Sequence, residues 1–363
     1  MPFPPIRYLA WAHRHISGEP APFSLAASTA PHLAPGDLGL TLDGLAWTSP
    51  SSQGLPELAE ALGERYGVPR ERILLTAGCT MANYLVAAAC LRPGDAALVE
   101  TPAYEPLARV ARAVGARVAR LVRRPEEGYR VSPTRLDRAL ERTGARLVVL
   151  TNLHNPSGRS LPAEQVQALG AVARRRGARV LWDEIYREGL PEPPPPAAVL
   201  DPRASVSTAS LNKVYGLAAL KVGWALAPEA VVRRARQVAD YFYPANPPLM
   251  EQVALQAVLR LDELRPRSLE LSARNRELAA AWMEGRADLE WSHPEGGFVG
   301  FARLRRQDLD SHVLEARLAR EGRTLVAPGH HFGDARGFRV GLGQADEGAL
   351  RGALAALGEA LEG

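Results

Sequence analysis

Lysine is almost missing from this chain of 363 residues. It occurs only at Lys213 and Lys221, and the other 42 basic residues are arginine. Arginine, alanine, 32 glycines and 30 prolines share GC-rich codons, so a GC-rich genome explains the drift away from lysine wherever either cation serves. A lysine that survives is a candidate for chemistry closed to arginine. An ammonium can lose its proton and attack a carbonyl, whereas guanidinium stays charged. Cysteine is as scarce: Cys79 and Cys90 exclude a disulfide framework, and neither stands at a metal-ligand spacing, so no metal is expected. No run of about 18 apolar residues exists, and Met1–Arg14 lacks the apolar stretch of a signal peptide. The expectation is a soluble cytoplasmic protein without a membrane span. Charge of one sign is also missing as a block. The net charge of +4 and pI near 9.2 are spread along the chain, with no basic run longer than Arg174-Arg175-Arg176, which gives nucleic acid no footing.

What is present is ordinary globular composition, 46% hydrophobic and 23% charged, at a length suited to one large domain or two intimate ones. From about residue 56 to 225, helical patterns alternate with short apolar runs. Helices are expected at Leu58–Tyr66, Met81–Cys90, Glu105–Val114, Leu136–Arg142 and Ala163–Arg176. Seven strands fall between and after them: Ile73–Leu75, Ala97–Glu100, Arg117–Val122, Leu147–Thr151, Arg179–Trp182, Ser205–Thr208 and Val222–Leu226. Strands apolar on both faces and separated by helices imply an α/β fold with a mainly parallel sheet covered on both sides. Pro191–Pro196 leaves room only for a loop. After Pro228 the pattern becomes helical, with helices expected at Leu249–Leu261 and Leu269–Met283. Short strands and helices follow to the end, so a smaller α+β domain of residues 1–44 with 246–363 is expected beside a large domain of residues 45–245.

Three strand ends carry polar residues toward one place. Lys213 lies in Ser210-Leu211-Asn212-Lys213 after one strand, Asp183 in Asp183-Glu184-Ile185-Tyr186 after another, and Asn155 in Asn155-Pro156-Ser157-Gly158 after a third. Open α/β sheets bind ligands in the crevice at the carboxyl ends of their strands, so an amine, a carboxylate and an amide are expected to converge there.

With Gln53-Gly54-Leu55-Pro56-Glu57-Leu58, Ala77-Gly78-Cys79-Thr80, Glu100-Thr101-Pro102-Ala103-Tyr104, Pro328-Gly329 and Phe338-Arg339, these fragments resemble the fold-type I pyridoxal-phosphate enzymes, specifically the class I/II aminotransferases, over nearly the whole chain. Arg7–His13, Ser24–Ser28 and Cys79–Asn83 look closer to an outlying branch of that family, which includes capreomycidine synthase-like enzymes. The resemblance implies a cofactor, pyridoxal 5′-phosphate, held by Lys213 as a Schiff base. Asp183 would keep the pyridine nitrogen protonated, Asn155 and Tyr186 would hydrogen-bond the ring hydroxyl oxygen, and Tyr104 would stack on the ring. The amides of Cys79 and Thr80 at a helix N-terminus, with Ser210, would cradle the phosphate. Arg339, with Asn155 beside it, would bind the substrate carboxylate. Two positions depart from the family pattern: Asn212 replaces a small hydroxyl residue or glycine, and Lys221 replaces an arginine that binds phosphate. Asn212 can still donate to the phosphate. Trp47 is the only aromatic residue shortly before Gly54, and no tyrosine lies between Thr48 and Gln53. His330 and His331 follow Pro328-Gly329 in a loop that borders the substrate in the family.

The function so implied is transfer of an amino group between an amino acid and a 2-oxo acid by a ping-pong mechanism, in a cytoplasmic homodimer with sites at the subunit interface. A lyase or cyclase that begins with the same Cα deprotonation is the alternative. A DNA-binding regulator built on this fold is not expected, since fewer than 50 residues precede the first motif and the charge pattern offers no substitute.

Overall fold

The structure is a computed structural model that describes residues 3–15, 23–39, 41, 43–48, 51, 53–243 and 246–363. In chain order its strands are β1 (Phe23–Leu25), β2 (Ile73–Thr76), β3 (Ala96–Thr101), β4 (Arg117–Val122), β5 (Leu147–Thr151), β6 (Arg179–Asp183), β7 (Ser205–Ser210), β8 (Gly223–Leu226), β9 (Leu289–Ser292), β10 (Val299–Leu304), β11 (Thr324–Pro328) and β12 (Gly337–Gly341). Strands β2 to β8 make a seven-stranded sheet in the order β2-β8-β7-β6-β5-β3-β4, in which β8 alone runs antiparallel. All seven expected strands are therefore present, and the mainly parallel α/β architecture of fold type I is the observed one.

Alternation along each central strand explains the two-sided cover. Leu147 and Val149 of β5 turn to one face with Val99, Leu181 and Val206, where they meet Ala82, Leu85 and Val86 of the helix Cys79–Cys90. Val148 and Leu150 turn to the other with Leu98, Val180 and Trp182, against the helices Pro133–Thr143 and Ala163–Arg175. Burying each Val or Leu is worth roughly 1.5–3 kcal/mol, so both layers are held mainly by apolar contact.

The other sheet, in the order β1-β11-β12-β10-β9, joins the two ends of the chain, because β1 pairs in parallel with β11. Two elements differ from the sequence reading. Arg7–His15 is a helix, and its buried Tyr8 and Trp11 are three residues apart on one face. The helix expected from Leu269 starts at Leu261 and runs to Glu284 with Pro266 inside it. Proline lacks the N–H that would reach the Asp262 carbonyl, but Asp262 is exposed, so water can satisfy that oxygen. Among the described residues no helix is long and apolar enough to cross a membrane.

Beneath the carboxyl edge of the large sheet lies a fully buried ion pair. Arg123 Nη1 donates to Glu100 Oε2 at 2.7 Å, and Glu100 Oε1 accepts from the Thr151 N–H at 2.8 Å and from the Thr151 hydroxyl. The pair ties β3 and β5 together directly below the loop that carries Asn155. Glu100→Gln leaves the Arg123 charge buried without its partner and is expected to cost about 3–5 kcal/mol in urea unfolding. A loss below about 1 kcal/mol, the worth of a surface pair, would show that water reaches Arg123.

Candidate active site

Because β2, β3, β5, β6 and β7 all run the same way, their carboxyl ends open on one edge of the sheet. Asp183 closes β6 there, in register with Thr151 of β5 and Thr208 of β7. Its carboxylate is buried and well bound: Oδ2 accepts from Asn83 Nδ2 at 2.8 Å, and Oδ1 from the Ile185 N–H at 3.2 Å and the Cys79 thiol at 3.6 Å. The Thr208 hydroxyl donates to Asn83 Oδ1 at 2.6 Å and so fixes which end of that amide faces Asp183. Burial pushes the Asp183 carboxyl up, while the bonds from Asn83, Ile185 and Cys79 and the charge of Lys213 hold it down. Burial and Asp183 together drive the Cys79 thiol well above its usual range. That residue is no nucleophile.

Lys213 follows β7 by three residues, and its ammonium donates to Ser28 Oγ at 3.3 Å. Burial, then the guanidinium of Arg339, push its pKa down to about 8 against the pull of Asp183. Arg339 sits in the middle of β12 and is buried. Its Nη1 donates to Asn155 Oδ1 at 3.3 Å, and Nη2 to the Tyr8 hydroxyl at 2.8 Å and the Ala26 carbonyl at 3.3 Å. The guanidinium also lies over the rings of Tyr8 and Phe332, 5.4 and 5.1 Å from their centroids. Its Nε is buried without a hydrogen-bond partner, and among the described residues no carboxylate pairs with it. A buried cation with one donor unused is prepared for an anion from outside.

The remaining expected residues fall around these groups. Asn155 is buried, its N–H on the Thr151 hydroxyl at 3.0 Å. The Tyr186 hydroxyl donates to the Ser28 carbonyl at 2.8 Å, behind Lys213, and burial pushes that phenol up to about 12. Tyr104 meets the Tyr8 ring edge-on at 5.3 Å. Ser210 is buried, with its Oγ accepting from the Asn212 N–H at 3.3 Å. Thr80 and Lys221 are exposed on the rim, and Lys221 holds a left-handed backbone conformation, φ +52°. Strain of this kind gathers at functional sites. His331 packs against Tyr8 and Trp11, whereas His330 turns away toward Ser311. Trp47 is 85% exposed and joins none of these groups, and residues 49, 50 and 52 between it and Gly54 lie outside the described residues.

Ser28, Asn83 and Tyr8 are at the centre of this arrangement, yet no motif in the sequence singles them out. For Tyr8, the three-residue spacing to Trp11, which puts both on one helix face, is the signal that could have found it.

A further feature sits beside Lys221. The helix Cys79–Cys90 begins at Gly78, φ +82°, with no side chain capping it, so its first amides are left for an anion. The start of β8 presses against this turn: a Cβ on Gly223 would lie 2.6 Å from the Gly78 carbonyl carbon and 2.8 Å from the Cys79 nitrogen. Gly223→Ala is therefore expected to displace the turn and destabilise the protein by about 1–3 kcal/mol in thermal or urea unfolding. An unchanged unfolding midpoint would show that the turn yields freely.

The sequence model of the family described as aminotransferase class I and II matches residues 42–357. Capreomycidine synthase from Streptomyces vinaceus is 36% identical over 328 residues, 88% of this chain and 82% of that protein. Arginine-pyruvate transaminase from Pseudomonas aeruginosa is 29% identical over 303 residues, 80% of this chain and 76% of the relative. Among solved structures, a PLP-dependent cyclase superposes with a TM-score of 0.88 at 27% identity, covering 99% of this chain and 97% of the other. Taken with the convergence of Lys213, Asp183 and Arg339 at the sheet edge, these similarities establish that the chain belongs to the class I and II aminotransferases, enzymes of fold type I that depend on pyridoxal 5′-phosphate.

Proposed function

We propose that this enzyme exchanges an amino group between an amino acid and a 2-oxo acid by a ping-pong mechanism, with Lys213 as the residue that holds the cofactor and moves the proton. The observation that carries the reading is a lysine whose pKa is pushed down to about 8, set between the carboxylate of Asp183 and a buried Arg339 that lacks a counter-ion. The site suits the cofactor on two further grounds: the uncapped helix N-terminus after Gly78 offers amides to a phosphate, and the buried Asp183 carboxylate, oriented by Asn83, offers an acceptor to a ring N–H. Pyridoxal phosphate supplies an aldehyde that takes up amines and a protonated ring that draws electrons from the substrate Cα.

The chain's own residues do the rest. Lys213 Nζ, partly neutral near pH 8, would hold the cofactor and is the group that would take the substrate Cα proton and return it. Asp183, oriented by its three donors, would accept from the pyridine N–H and so favour the protonated ring. Cys79 and Thr80 amides, Ser210, Asn212 and the rim cation Lys221 would hold the phosphate. Tyr104 would stack on the ring, and Asn155 and Tyr186 would hydrogen-bond its hydroxyl oxygen. Arg339 grips the substrate carboxylate and thereby fixes which Cα bond faces Lys213. We further propose a large domain of residues 45–245 and a small one of 1–44 with 246–363. A cytoplasmic home is supported by two free cysteines, and a homodimer by the exposed aromatics Trp47, Tyr241 and Phe242.

A second reading, a lyase or cyclase acting by the same Cα deprotonation, is favoured by the similarity to capreomycidine synthase and to the cyclase structure. An amino donor added without an oxo acid is expected to convert the bound cofactor to its amine form in one turnover, read from the loss of its visible absorbance. Continuous release of ammonia or of a cyclic product instead would establish the second reading.

Lys213→Ala is expected to abolish the visible absorbance of lysine-bound cofactor and to lower turnover by several orders of magnitude. Persistence of that absorbance would assign the attachment to another residue. Since only the neutral amine attacks, cofactor uptake by the apoprotein is expected to accelerate with rising pH through about 8 and level off above it. An ordinary lysine would keep gaining to about 10.4, and a profile of that form would mean that burial does not depress Lys213.

A further inference from the structure

On the far side of the turn that carries His331, three side chains meet that play no part in the chemistry above. His312 and Glu315 stand three residues apart on the helix Ser311–Glu321, a spacing that puts both on one face. His330, from the turn Gly329–Phe332 after β11, folds back over them. Its ring stacks on His312 with centroids 3.7 Å apart and planes 6° from parallel, and its Nε2 lies 3.6 Å from Glu315 Oε2. One ligand atom from each of the three residues lies within 4.8 Å of the other two.

The support around His330 engages Nδ1 and leaves Nε2 on the side of Glu315. Ser311 Oγ is 3.0 Å from His330 Nδ1 and accepts from the His330 N–H at 3.1 Å, so one serine holds both the ring and its backbone. Nε2 is then left pointing at Glu315. A hydrogen bond to the far nitrogen that sets tautomer and ring direction is the usual support of a ligating histidine. We propose that His312, Glu315 and His330 form a binding site for one divalent transition-metal ion of the zinc type.

Two imidazoles and one carboxylate are the donor set that borderline cations such as zinc prefer, and three protein ligands leave a fourth position for water. The parallel rings cannot aim their lone pairs at one point as they stand. Closure takes a turn of the His312 side chain, which is exposed and has room to move, while His330 stays where Ser311 holds it. An ion there would tie the helix Ser311–Glu321 to the turn Gly329–Phe332. The next residue, His331, packs edge-on against Tyr8 at 6.1 Å, and the Tyr8 hydroxyl is a hydrogen-bond partner of Arg339. The ion would therefore act as a structural clamp on the segment beside the buried arginine, outside the reacting centre.

The test uses the full-length holoenzyme, stripped with a chelator and titrated with zinc chloride alone by calorimetry. One equivalent per chain is expected. His312→Ala and Glu315→Gln should each weaken binding about tenfold or more and leave the cofactor spectrum unchanged. His293→Ala, which removes a surface histidine paired with Glu284 instead, should bind as the parent does. Both test positions are solvent-accessible, and matched thermal unfolding of metal-free parent and variants will show that they fold. Absence of saturable binding, or stoichiometric binding that neither His312→Ala nor Glu315→Gln weakens, overturns the proposal.

Discussion

Two cations share one buried cleft. Burial first, and then the charge of Arg339, bring the amine of Lys213 down to about 8. Asp183 partly offsets them, but its carboxylate is already committed to Asn83, Ile185 and Cys79. Positive charge is therefore in excess, and Arg339 Nε is buried without a hydrogen-bond partner. The same imbalance lowers the Lys213 amine and, on the function proposed above, would give a substrate carboxylate its grip.

Such a cleft needs walls that do not yield. The parallel strands supply them, because both faces of the large sheet are packed with aliphatic side chains and its carboxyl ends are tied by the Glu100–Arg123 pair. The N-terminal segment closes the remaining side. Ser28 accepts from both Lys213 and Tyr186, through its hydroxyl and its carbonyl, while Tyr8 and Ala26 accept from Arg339. Residues near the two chain ends thus meet residues near 213 in one place, held by the pairing of β1 with β11.

Much of this could be read in advance, for a physical reason. Seven apolar runs flanked by helical patterns admit few architectures, and a polar residue just past such a run must face the ligand edge of the sheet. Lys213, Asp183 and Asn155 satisfy that condition. Asn83 does not, since an asparagine inside an apolar helix gives no sign of what it will orient. Pro266 argues locally for a break, yet the helix continues through it, because its loss falls on a carbonyl open to water.

Local order along the chain was thus enough for the strands, the ligand edge and the place of the lysine beside it, since each follows from short-range periodicity. Long-range placement was not. That Tyr8 meets Arg339 across 331 residues, that Trp47 stands in solvent, and that His330 turns from the cleft toward His312 and Glu315 all depend on how sheets, ends and turns pack. Those contacts arise from shape and burial in three dimensions, and no spacing along the chain encodes them.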